Sequence, residues 1–389
     1  MAIENWVAQH VESLTAFRRD LHENPELLYD LPRTAATVAD ALRAAGVDEV
    51  VEGIGKTGVV GVIRGQTNTS GRTIGLRSDM DALPIVEATG KPWASKVEGK
   101  MHACGHDGHT AMLLGAARHL AESRAFDGTV IVIFQPAEEG GAGAKAMIDD
   151  GLFTRWPCNE VYGMHNRPNL PVGQFTIAPG PIMGSVDEIR ITIEGRGGHA
   201  ARPDSTIDSF PIAAALIQSI QTIVSRTVDP MDNAVVSLCT IHAGNAFNVI
   251  PQTIEMTGTV RTLREEVREH IEAQLASLVP SIAAGFGATA TLDYIRMYPV
   301  TVNHAHETDL AAAAAIEVAG EANVTLDMPP VLGGEDFSFM LNEVPGAMIN
   351  IGNGPSAGLH HPEYDFNDDV IAWGCSYWTT LVRQRLPAG

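Results

Sequence analysis

Positive charge is scarce in this chain. Lys and Arg number 26 against 47 Asp and Glu, a formal net charge of −21, and such a field repels nucleic-acid phosphates and anionic lipid headgroups alike. No apolar run approaches the roughly 20 residues of a membrane-spanning helix. Nucleic acid and membranes are therefore not expected as partners. Cysteine is scarce too: Cys104, Cys158, Cys239 and Cys375 lie far apart and form no CxxC pair, which argues against a disulfide framework and for a reducing compartment. Met1 to His10 hold no basic stretch ahead of an apolar block, so no secretory leader is expected and the cytoplasm is the expected location.

What is present is the composition of a two-domain globular protein, 389 residues of which 45% are hydrophobic and 19% charged, ample for a sizeable core. Val11, Leu14, Phe17 and Leu21 recur at helical spacing up to Asn24-Pro25, and Ala35, Val38 and Leu42 do so up to Gly46. Short apolar runs follow at Gly58 to Ile63, Thr73 to Arg77, Val130 to Phe134 and Glu160 to Met164, alternating with helical stretches such as Thr110 to Ala121. This is α/β grammar. Polar clusters stand immediately after three of these runs, at Arg77 to Asp81, at Gln135 to Glu139 and at His165, and in open α/β sheets the carboxyl ends of strands are where ligands sit. From Asp187 the pattern becomes strand, helix, strand, strand, helix, strand, the order of a ferredoxin-like unit. Polar clusters return after about Thr301, so the expected plan is a discontinuous domain of residues 1–184 and 301–389 with residues 185–300 inserted.

Chemistry concentrates in Met101-His102-Ala103-Cys104-Gly105-His106-Asp107-Gly108-His109, where a thiol and several imidazoles crowd among small residues, as a transition-metal site requires. Read as an extended segment, it lets Cys104 and His106 reach one ion, with Asp107 and His109 behind them. Glu138 and Glu139 follow a buried strand, and their side chains diverge. One can bind metal while the other moves a proton between water and a leaving amine; an acidic pair capping the helix that begins near Gly143 would look the same in isolation. Adding His165 and His360 makes five donors, Cys104, His106, Glu139, His165 and His360, too many for one tetrahedral ion and suitable for two ions sharing a water.

Four stretches, Arg77-Ser78-Asp79-Met80-Asp81-Ala82-Leu83-Pro84, Cys104-Gly105-His106-Asp107-Gly108-His109, Gln135-Pro136-Ala137-Glu138-Glu139-Gly140-Gly141 and Leu359-His360-His361-Pro362, together resemble the aminoacylase, hippurate hydrolase and auxin-conjugate amidohydrolase family of di-metal peptidases. The likeness runs from Phe17-Arg18-Arg19-Asp20-Leu21-His22 to Asp365-Phe366-Asn367-Asp368. It implies a di-metal exopeptidase-like catalytic domain with a mixed central sheet, and an inserted ferredoxin-like lid domain through which the family dimerises. It further implies Cys104, His106, Glu139, His165 and His360 as ligands of two divalent ions, with zinc, manganese, cobalt and nickel all admissible, Glu138 as general base and then acid, and Asp81 behind a ligand imidazole. His199, in Gly195-Arg196-Gly197-Gly198-His199-Ala200, would reach a partner subunit's active site and polarise the scissile carbonyl. Asn248 would bind the substrate carboxylate or the oxyanion, and Glu335 would line the site.

The expected enzyme is a metal-dependent amidohydrolase that cleaves N-acyl or N-aroyl amino acids, acting as a homodimer or higher homo-oligomer. Its competitors are a dipeptidase or carboxypeptidase using the same site, a hydrolase with Cys104 as nucleophile activated by His106, and a non-catalytic binding protein whose metals hold the scaffold.

Overall fold

The computed structural model describes residues 3–389, which divide into two compact units. The first runs to Gly180 and resumes over Val302–Pro329 and Asp336–Gly389. It is α/β, built on a mixed eight-stranded sheet in the order Glu49–Ile54, Gly58–Arg64, Thr129–Gln135, Thr73–Asp79, Glu160–Pro168, Gly346–Gly354, Phe175–Thr176, Val324–Thr325. Val130, Val132 and Phe134 join the main core, while Ile131 and Ile133, which alternate with them, are buried as well. A strand apolar at every position is thus covered on both faces. The core also takes in Leu14, Val38, Leu113, Ala311 and Trp378, from helices Asn5–Glu23, Pro32–Ala44, His106–Ser123, Ala305–Ala319 and Val370–Arg385.

Strands Thr129–Gln135, Thr73–Asp79, Glu160–Pro168 and Gly346–Gly354 are mutually parallel, with Asp79 opposite Gln135. Their carboxyl ends therefore share one edge, which is what brings the polar clusters together. His165, expected at a strand end, lies inside a strand that continues to Pro168 and pairs with Asn350. A second departure matters more. The helix expected from Thr110 starts at His106, because Gly105 takes φ +90° and turns the chain into it, so the segment is not extended and the face-sharing argument for Cys104 and His106 does not apply.

The second unit comprises Pro181–Thr301 and Pro330–Glu335. Its four antiparallel strands run in the order Ala234–Ala243, Thr253–Thr262, Val186–Glu194, Thr289–Tyr298, the ferredoxin-like arrangement. Ile189, Ile191 and Ile193 pack on Ile212 and Leu216 of helix Ser209–Thr222 and on Ile271 and Leu275 of helix Glu265–Gly285. Asp208 caps the first helix, accepting the Phe210 N–H at 2.9 Å. Residues 330–335 were expected in the first unit. They cluster with the second because Val331 N–H donates to Ile182 O at 3.0 Å and Gly184 N–H to Gly333 O at 2.9 Å, ties that no local hydrophobic pattern announces.

Candidate metal centre

Cys104 precedes the turn at Gly105. A Cβ on Gly105 would fall 2.5 Å from Tyr364 Oη and 2.6 Å from Asn166 Oδ1, so only glycine fits both the conformation and the space. Beyond it, His106 and His109 stand three residues apart on one helix and share a face. Asp107 turns elsewhere: its Oδ2 accepts His22 Nδ1 at 2.8 Å and Arg18 Nη1 at 3.2 Å. The expectation that Asp107 backs the ligands therefore fails, since i+1 on a helix points about 100° away.

The adjacent carboxylates ride on the turn after strand Thr129–Gln135. Asp81 anchors that turn, its Oδ1 accepting Glu138 N–H at 3.0 Å and its Oδ2 accepting Glu139 N–H at 3.1 Å. The same Asp81 Oδ1 lies 3.5 Å from His106 Nδ1, on the side of that imidazole away from its Nε2. His165 Nδ1 donates to the Asn166 carbonyl at 2.7 Å, which leaves Nε2 directed at Cys104 Sγ, 3.4 Å away. His360 reaches in from a loop whose backbone is tied to Ala103 O at 2.8 Å, and its Nε2 lies 3.2 Å from Glu139 Oε1. Cys104 with His106 and His165, Cys104 with Glu139 and His360, and His106 with Glu138 and Glu139 form three groups whose donor atoms all lie within 4.8 Å of one another.

Burial and charge shape these groups. Burial, then Glu139 and Glu138, hold the Cys104 thiol well above its ordinary pKa, and burial lowers His165 to about 3. Burial also opposes charge on His106, yet Asp79, Asp81 and Glu139 outweigh it and push the imidazole up to about 10. Neither nitrogen of the fully buried His106 makes a well-aligned hydrogen bond, and Glu139 Oε1 has only the His360 contact at hydrogen-bond distance. Orphaned buried donors beside clustered carboxylates are costly unless a cation joins them, and thiol, imidazole and carboxylate together suit borderline divalent ions. The donor set fits a metal centre.

A model of peptidase family M20/M25/M40 matches residues 75–384. The chain belongs to that family. It is 42% identical over 369 residues to a hippurate hydrolase of Campylobacter jejuni, covering 95% of each chain, and 39% identical to an N-acetylcysteine deacetylase of Bacillus subtilis, covering 95% of this chain and 96% of that one. It is also 40% identical to a thermostable carboxypeptidase of Saccharolobus solfataricus, over 96% of this chain and 93% of that protein. A solved dinuclear metal-binding M20 peptidase of Bacillus subtilis superposes with a TM-score of 0.85 at 35% identity, over 98% of this chain and 100% of that one.

Within this M20 chain the structure thus gathers Glu138, Asp81 and all five expected donors in the first unit. His199, Asn248 and Glu335 belong to the second. There His199 pairs with Val249 across a short ladder, and the Asn248 carbonyl accepts Ala200 N–H at 3.0 Å, so the two loops meet, both exposed. His199 Nδ1 accepts Ala201 N–H at 3.1 Å, leaving Nε2 to carry the proton. Glu335 is buried, its backbone carbonyl accepting Thr301 Oγ1 at 3.3 Å.

Two residues, Asp79 and Asn166, escaped assignment as candidate site residues, and both meet His109, the imidazole read from the sequence as standing behind the donors. Asp79 Oδ1 accepts His109 Nδ1 at 2.7 Å, and its Oδ2 lies 3.6 Å from His106 Nε2. His109 Nε2 in turn takes the Asn166 backbone N–H at 3.0 Å, and its ring packs edgewise on His165 at 4.6 Å between centroids. Asp79, buried, is held well below the ordinary carboxylate range because His106, Arg77 and His109 outweigh burial. The signal for Asp79 was its place at a strand end two residues before Asp81, in the same motif.

Proposed function

We propose that this protein is a metal-dependent amidohydrolase that cleaves the amide bond of N-acyl or N-aroyl amino acids, giving a carboxylic acid and a free amino acid. The observation that carries the reading is a buried carboxylate, Glu138, held beside a convergent Cys, His and Glu donor set. Two divalent ions held by Cys104, His106, Glu139, His165 and His360 would supply Lewis acidity to the amide carbonyl and to water. Glu138 takes the proton from water and delivers it to the departing amine. Asp81 holds the backbone of Glu138 and orients His106. His199 donates from Nε2 to the developing oxyanion, and Asn248 binds the substrate carboxylate or that same oxygen, with Glu335 lining the site. Hippurate hydrolase and N-acetylcysteine deacetylase as relatives support this substrate class.

A peptide substrate is the second reading, favoured by the carboxypeptidase relative. Cys104 as a nucleophile finds no support, because its thiol is buried and pushed up in pKa, the opposite of an activated cysteine. Homodimerisation through the second unit is supported by its edge strand Ala234–Ala243 and by exposed Ile241, Phe247 and Val249. A cytoplasmic location is supported by four free cysteines. The test is Glu138→Gln against a panel of acetyl, benzoyl and indole-acetyl amino acids and dipeptides, read by amine release with each metal. It should keep its metal and lose turnover by at least about 100-fold; undiminished turnover removes Glu138 from the mechanism.

A further inference from the structure

The turn that carries Glu138 and Glu139 is one the backbone does not favour. Ala137 takes φ +54°, Gly140 +92° and Ala142 +55°, so two alanines hold left-handed conformations that L-residues rarely adopt and that persist only where their surroundings over-determine them. Two internal bonds help, Gly140 N–H to Glu138 O at 2.7 Å and Gly143 N–H to Ala137 O at 3.1 Å, and Asp81 holds the crest.

The ends are held by a residue from a distant part of the chain. Asp336 is fully buried. Its Oδ1 and Oδ2 accept Gln135 Nε2 at 2.7 and 2.9 Å, and its Oδ2 accepts Ala144 N–H at 2.9 Å. Gln135 closes the strand before the turn, and Ala144 is the second residue of the helix Gly143–Asp149 after it, so one carboxylate grips both flanks. Arg77 completes the frame, donating Nε to Gln135 Oε1 at 2.8 Å and Nη2 to Asp336 Oδ1 at 3.1 Å. The flanks have no slack, since a Cβ on Gly143 would fall 1.6 Å from Pro136 O.

We propose that Asp336 is a positioning residue for the reaction, fixing the strained turn from both sides and thereby setting where the Glu138 carboxylate stands. This rests on Glu138 as the base. Asp336→Asn replaces an acceptor with an amide that must turn an N–H toward a donor. It should retain both metals and a KM within about twofold, while kcat falls between about 10- and 100-fold, the scale of a misplaced catalytic group. The exchange Gln135→Glu with Asp336→Asn swaps carboxylate and amide across the same hydrogen bond and leaves the new amide oxygen free to keep Ala144 N–H, giving up only the Arg77 Nη2 bond, so kcat should recover to within a few-fold of wild type. If Asp336→Asn does not fold, the exchange variant decides alone. Wild-type kcat in Asp336→Asn overturns the proposal, as does a rise in KM at constant kcat. So does a metal-replete exchange variant that stays slow, or a joint collapse of metal content, melting temperature and kcat in both variants. Glu138→Gln separates the two ideas: if it stays active the base assignment fails, whereas an inactive Glu138→Gln beside a fully active Asp336→Asn defeats only the positioning role.

Discussion

The sharpest stability prediction concerns a buried charge cluster behind the metal helix. Asp107 accepts His22 and Arg18, His22 Nε2 also lies 3.3 Å from Glu87 Oε2, and Arg18 Nε donates to Asp368 Oδ1 at 2.8 Å. Burial disfavours a charged His22, but Asp107 and Glu87 outweigh it and raise its pKa to about 9. In the unfolded chain an imidazole titrates near 6.5. The folded state therefore holds a proton that the unfolded state releases first. Its stabilisation is complete below about pH 6.5 and disappears as pH rises through about 9, amounting to about 3 kcal/mol. His22→Gln keeps a donor but cannot titrate. Urea unfolding of both proteins, metal-loaded, should show the variant weaker at about pH 6 by 3 kcal/mol or more, as expected for a broken buried pair, with the gap closing by about 3 kcal/mol near pH 9.5. Trp93 is a suitable fluorescent reporter, with the Arg18 guanidinium 5.7 Å from its ring centre. A gap of constant size across that range would refute the reasoning, because it would mean His22 is neutral in the fold.

Three further outcomes are expected. Gly108→Ala puts a Cβ 2.2 Å from Phe366 Cε2, an overpacking worth about 1–3 kcal/mol, and because Gly108 lies in the first turn of the helix that presents His106, melting temperature and metal content should drop together. Chelation should abolish hydrolysis and lower the melting temperature, by the equivalent of about 3 kcal/mol when the ion had been at ~100 times its Kd; full activity in the chelated protein contradicts the metal centre. His199→Gln changes an exposed side chain, so stability should shift by less than about 0.5 kcal/mol, while turnover falls about 100- to 1,000-fold if its Nε2 proton serves the oxyanion. An unaltered kcat would leave His199 a surface residue.

Local pattern made much of the scaffold legible. Strands apolar at every position, such as Val130 to Phe134, can only be buried on both faces, and the isoleucine alternation at 189, 191 and 193 can only be half-buried; both were found as expected. The polar clusters after successive strands converge because parallel strands deliver their carboxyl ends to one edge. What local pattern could not supply was conformation at single residues. Gly105 in an extended run and Gly105 at φ +90° look identical in sequence, yet the second moves the helix start four residues and redirects Asp107 from the metal donors to His22 and Arg18.

Behind the donors the limit is of another kind. Asp79, His109 and Asn166 are joined by hydrogen bonds spanning 30 and 57 residues of chain, and Asp336 meets Gln135 across 201. A ligand betrays itself by its type, since few structural roles need Cys, His and Glu in small-residue surroundings. A residue that holds a ligand can be almost any hydrogen-bonding group, provided it arrives at the right place, and its arrival is fixed by packing of distant elements. Donors are therefore readable one motif at a time, whereas the frame that aims them exists only once the sheet has formed. That difference predicts which substitutions will surprise: Asn166, unremarkable by type, and Asp336, a carboxylate like many on the surface, should cost this site more than the exposed Cys239 or Glu343.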